Sequence, residues 1–259
     1  MEHANAAVSE VEAPGISRIG YWQAFHWIAA GVRDLRRAPL QSGFYGVAFA
    51  LIGYLAIGLF GRHAYLITAM ITGFLLLAPF LAIGLYRISQ QLEAGEHPRL
   101  ADSMTAWRHN YGSIGLFAAF LGFAFIFWER ISAILFALFH GLKLPTVDSL
   151  SGWIFLLSEN PVFLVLYFGL GALAAAFVFA CAVISIPLML DRRIDPVTAL
   201  ITSVHATQSN PFALAVWALT IVALVAIGIA TFFLGLIVIM PILGHASWHA
   251  YRDITRDGG

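Results

Sequence analysis

Charge is scarce in this sequence. Asp, Glu, Lys and Arg make up 11% of its 259 residues, against about 25% in soluble domains. Hydrophobic residues make up 60%, and the mean hydropathy is +0.84. A soluble globule cannot hide that much apolar surface, because part of every globule stays wet. The chain therefore reads as an all-α polytopic membrane protein. Cysteine is almost missing: Cys181 stands alone inside an apolar run. That excludes an intrachain disulfide and suits a small packing residue. There is no zinc-type cysteine pair, no glycine-rich phosphate loop and no nucleophile elbow, so those chemistries have no motif here. Residues 1–15 contain no Lys or Arg, so the basic start of a signal peptide is lacking. A disordered, uncleaved tail is expected there.

What the chain does have is a series of apolar runs. Those at 40–60, 64–92, 111–140, 161–190, 211–232 and 234–253 meet or exceed the roughly 20 residues that cross a 30 Å hydrocarbon core. Six transmembrane helices are expected. Short amphipathic segments lie between them. In 16–37, Ile19, Trp22, Phe25, Ala29, Val32 and Leu35 recur at helical spacing. In 98–110 the apolar side is Leu100, Met104 and Trp107; after Asp195 it is Val197, Ile201 and Val204. Such helices lie along a membrane surface. Asp195 reads as a helix cap, with Pro196 at the first position. Trp153 to Leu157 form a further surface-seeking stretch. The order surface helix, span, span thus occurs three times, and the second span of each unit carries a proline: Pro79, Pro187 and Pro241. A threefold repeat is expected. Gly73 and Gly84, near Pro79, suit close helix contact. The organisation is a tail at 1–15, a six-span membrane domain at 16–254 and a short tail at 255–259.

Basic residues set the orientation. With the N-terminus in the cytoplasm, eleven arginines fall inside: Arg18, Arg33, Arg36, Arg37, Arg87, Arg99, Arg108, Arg192, Arg193, Arg252 and Arg256. Arg62 and Lys143 fall outside, and Arg130 lies within a span. The asymmetry places both termini and all three surface helices on the cytoplasmic side of the membrane.

The candidate site residues are few. Glu129 and Arg130 are the charged pair inside an apolar run. Charge in lipid is costly, so such residues face protein or water. Alternatively, they lie close to the outer interface, 18 residues beyond Tyr111. His245 and His249 stand at i and i+4, a spacing that can chelate a metal. No carboxylate or thiol stands at the neighbouring turn, so no metal and no cofactor is expected. Arg33, Arg36 and Arg37 suit anionic lipid headgroups. His26, His97, His109 and His205 could sense pH. Ser185, Thr202, Ser203 and Gln208 could line a polar path, although Ser and Thr also bond back to helix carbonyls. No catalytic set is legible. The expectation is a non-catalytic protein whose partners are the lipid bilayer and other membrane-protein subunits, with no nucleic acid. The alternative is a small-solute transporter or channel.

Residues 190–199 (LDRRIDPVTA), Asn210-Pro211 and residues 244–253 (GHASWHAYRD) resemble a bacterial family of integral membrane proteins of unknown function. Some members are labelled cytochrome c oxidase subunit I. That label implies haem and copper held by histidines in mid-membrane, including an adjacent pair. This chain has no adjacent histidines, and six spans are half of that subunit's number, so direct oxidase catalysis is not expected. The resemblance leaves room for an accessory or assembly role beside a respiratory complex.

Overall fold

A computed structural model describes residues 14–60, 81–141 and 160–255. Among these the fold is all-helical. The elements are α1 (Gln23–Arg37), α2 (Pro39–Phe60), α3 (81–93), α4 (Leu100–Met104), a 3-10 turn (Ala106–Asn110), α5 (Tyr111–His140), α6 (Pro161–Ala182), α7 (Ser185–Arg192), α8 (Pro196–Ser209), α9 (Pro211–Ala230) and α10 (Leu236–Ile254). Three helical stretches, Ala106–Phe139, Pro161–Arg192 and Pro211–Ala230, are long and apolar enough to cross a membrane. Residues 61–63 between the first two expected spans, most of the second span with Gly73 and Pro79, and Trp153 to Leu157 lie outside the described residues, as do both extreme tails.

The helix bounds follow local chemistry. Pro39 opens α2 rather than ending α1, because its missing N–H costs nothing at a first helical position. Asp195 caps α8 by accepting from the backbone N–H groups of Val197 and Thr198 at 2.9 and 3.0 Å. Helix α5 coincides with the expected run and stops at Gly141, whose φ of +76° suits a residue without Cβ. The first amphipathic helix starts at Gln23 instead of residue 16. The segment before it is tied to other elements, with the Ser17 N–H donating to Ile254 O at 2.8 Å.

The fourth expected span lies within the stretch Pro161–Arg192 and carries a joint. Helix α6 ends at Ala182, and α7 begins at Ser185. Pro187 accounts for the break: a proline ring clashes with the carbonyl four residues back, here that of Val183. Serines support the joint. Ser203 donates to Ala180 O at 2.7 Å, and Ser185 donates to Cys181 O at 2.5 Å. Ser185, Thr202 and Ser203 therefore bond to carbonyls rather than line a path, and Gln208 is exposed.

Helix α10 is the centre of the molecule. It buries Leu236, Met240, Leu243, Ala246, Trp248, Tyr251 and Ile254 and packs chiefly on α1 and α2. Pro241 withholds a donor from Ile237 O, and this carbonyl lies directly against Gly46 of α2. Gly84 of α3 meets the Tyr45 ring, and Gly244 meets Leu85. A smaller core joins α5 and α6 through Leu135, Phe136, Phe163 and Tyr167.

Candidate functional site: a buried hydroxyl–imidazole chain

The inner face of α10 carries the polar centre. His245 is 0% exposed, as is Ser42 of α2; Asp34 of α1 is 5% exposed and Ser89 of α3 is 1% exposed. Ser42 Oγ lies 2.9 Å from His245 Nε2, and Ser89 Oγ lies 2.8 Å from His245 Nδ1. Ser89 donates to Asp34 Oδ2 at 2.7 Å. That donation fixes the directions. With its proton committed to Asp34, Ser89 must accept from His245 Nδ1–H, so His245 Nε2 accepts from the Ser42 hydroxyl. One turn further along α10, His249 Nε2 lies 2.8 Å from Asp34 Oδ2. Every member of the chain has its partner, which is the condition for burying such groups.

Burial alone would raise the Asp34 carboxyl. The hydrogen bonds from His249 and Ser89, together with the nearby imidazoles, outweigh it and hold the group below its ordinary value. Both nitrogens of His245 are engaged by hydroxyls, so neither offers a free lone pair to a metal. Among the described residues no three His, Cys, Asp or Glu side chains stand together as a metal set.

A second polar layer lies at the same end. Trp27 Nε1 and Gln23 Nε2 both donate to Asp253 Oδ2, at 2.9 and 2.7 Å. Trp248 Nε1 donates to Glu93 at 3.1 Å, and Tyr251 donates to Asp191 at 2.6 Å. Arg252 lies 3.4 Å from Glu93 and 3.7 Å from Asp191. Long side chains of α10 thus reach α1, α3 and α7.

The other candidates are dispersed. Glu129 is buried at 7%, whereas Arg130 is exposed. Arg33, Arg36 and Arg37 are exposed on α1, whereas Asp34 is buried. His26, His97, His109 and His205 are exposed and sit on separate elements. Sequence reasoning found the spacing of His245 and His249 but missed Asp34, Ser42 and Ser89. Asp34 was legible only as one charge among the arginines of a surface helix.

Exposed apolar helices around a small polar centre define an integral membrane protein. Residues 66–191, just under half of the chain, match the family model described as predicted integral membrane protein (DUF2189), a family of unknown function. The match takes in the start of the first quoted motif and stops before the other two. No curated protein and no solved structure matches the chain.

Proposed function

We propose that the chain is a six-span protein of the bacterial inner membrane, with both termini cytoplasmic, that acts through protein or lipid contacts rather than by catalysis. An accessory or assembly role beside a respiratory complex is the partner class suggested by the resemblance. The observation that carries the reading is the enclosure of the polar centre. Ser42 and His245 are fully buried, so their hydroxyl–imidazole pair is sealed from any substrate. The outward faces support the same reading. Phe123, Phe127 and Leu138 of α5, Val165 and Phe177 of α6, and Leu219 and Val222 of α9 are exposed apolar side chains that suit lipid or a partner helix. Trp22, Phe25, Met104, Trp107, Val197 and Ile201 are exposed on the short helices, where a membrane interface would cover them.

The threefold repeat gains support from backbone geometry. Ala38, Asn110 and Asn210 each join a short helix to an expected span. Their φ and ψ are −131° and 59°, −146° and 51°, and −134° and 49°. One bend is used three times.

Labelling and co-purification test the proposal. A His205→Cys, Cys181→Ala protein should react with an impermeant maleimide in inverted vesicles and not in intact cells. Mild-detergent purification should recover a reproducible protein or lipid partner. Labelling from outside would invert the topology, and a chain recovered alone would remove the contact role.

Transport is a second reading, favoured by one observation. The line His249, Asp34, Ser89, His245, Ser42 is hydrogen-bonded throughout and leads from a partly exposed imidazole to a fully buried hydroxyl. Proton movement into proteoliposomes that is lost in Asp34→Asn would favour it.

A further inference from the structure

A cavity of about 390 Å³ opens beside α3 and α7, lined by Arg87, Gln90, His109, Asp191, Arg192 and Arg193 together with Leu190. Its volume falls within the roughly 300–1,000 Å³ of small-ligand sites. The lining holds three guanidinium groups and one carboxylate. That carboxylate is already engaged: Asp191 accepts from Gln90 at 3.0 Å and Tyr251 at 2.6 Å, and Arg252 lies 3.7 Å away. Among the described residues no carboxylate lies within ion-pair distance of Arg87, Arg192 or Arg193. Gln90 holds Arg87 Nη1 at 2.6 Å, while the buried Arg87 Nε has no hydrogen-bond partner. A buried donor left in that state calls for an acceptor.

The wall is also braced. Arg193 adopts a left-handed backbone, φ 50° and ψ 36°, which is uncommon for a residue with a side chain. Asn110 clamps the turn on both sides, donating to Met189 O and Ile194 O, each at 3.0 Å. Strained turns of this kind persist where the surroundings over-determine them, often at ligand clamps.

We propose that this cavity binds a phosphate group, carried either by an anionic phospholipid headgroup or by a soluble phosphate. Guanidinium forks match phosphate oxygens in geometry and charge. The lipid source rests on the inner-leaflet placement proposed above, whereas phosphate binding itself does not depend on which way the chain is inserted.

The test uses the full chain in neutral detergent with two probes. Inorganic phosphate is read as a rise in Tm. Phosphatidylglycerol is read by native mass spectrometry as lipid retained against phosphatidylcholine. Arg87→Gln combined with Arg193→Gly should weaken binding of the preferred probe about tenfold or more. Glycine takes the Arg193 backbone conformation freely, so Arg193→Gly alone should lose affinity without losing Tm. It serves as the readout if the double variant does not fold. Arg18→Gln, exposed on the segment before α1 and outside the cavity lining, should bind as the unmodified protein does. Retained phosphatidylglycerol identifies a headgroup site, and a phosphate-induced Tm rise without lipid retention identifies a soluble phosphate. Binding of neither probe, unchanged binding in the variants or an equal loss in Arg18→Gln would overturn the proposal. Outside labelling of His205→Cys would instead overturn the placement and leave the phosphate site standing.

Discussion

Asp34 Oδ2, on α1, lies 2.8 Å from His249 Nε2, on α10, and this pair joins the first of the described helices to the last. The same oxygen accepts from Ser89 of α3, so one carboxylate gathers three helices. Asp34→Ala would leave a buried hydroxyl and an imidazole without their acceptor. Unsatisfied buried groups cost about 1–3 kcal/mol each, so a loss of about 2–4 kcal/mol is expected. Asp34→Asn keeps a carbonyl acceptor and should lose less. Thermal unfolding of the full chain in detergent checks the order; equal Tm values for all three proteins would refute the gathering role.

The same carboxylate gives a pH dependence with a definite sign. Asp34 is held below its ordinary value of 3.8. Its unfolded form therefore binds a proton first as the pH falls. The stabilisation is fully present above about pH 5, shrinks as the pH falls through about 4, and is gone below the lowered folded value. Unfolding measured between pH 7 and pH 3 should show a steeper acid loss for the unmodified protein than for Asp34→Asn. Parallel curves would count against the assignment.

Much of the fold was legible because apolar runs and their flanking signals are local. Helix α5 coincides with its expected run since Gly141 marks its end. The break at Val183 was not legible, because Pro187 acts four residues upstream of itself and the supporting Ser203 comes from another helix. The polar centre was less legible still. The contacts of His245 with Ser42 and Ser89 span 203 and 156 positions, and that of His249 with Asp34 spans 215. Serines inside apolar runs carry no periodic signal, so only the histidine spacing pointed to the site.

Two glycines of α2 should respond in opposite directions. A Cβ on Gly46 would strike the Ile237 carbonyl, whereas one on Gly43 meets nothing within 4 Å. Gly46→Ala should push α2 off α10 and cost about 1–3 kcal/mol. Gly43→Ala should stabilise the helix by about 0.5–1 kcal/mol, because alanine loses less backbone freedom. Tm measurements on both variants decide the matter; the same sign for both would mean that the close approach of α2 to α10 is wrong.

Asn210 fastens the segment before α1 to the bend between α8 and α9. Its Oδ1 accepts from Ile19 N–H at 2.8 Å, and its Nδ2 donates to Ser17 O at 3.0 Å and Ala206 O at 3.3 Å. The side chain is buried, so water cannot readily replace it. Asn210→Ala would release the Ile19 amide while leaving the Asp34 chain intact. The expected result is a Tm loss corresponding to about 1–3 kcal/mol, with faster hydrogen exchange at Ile19. Asn210→Asp keeps the acceptor for Ile19 but loses both donations, so exchange at Ile19 should stay slow while Tm still falls. Unchanged exchange in both variants would show that the segment does not depend on Asn210.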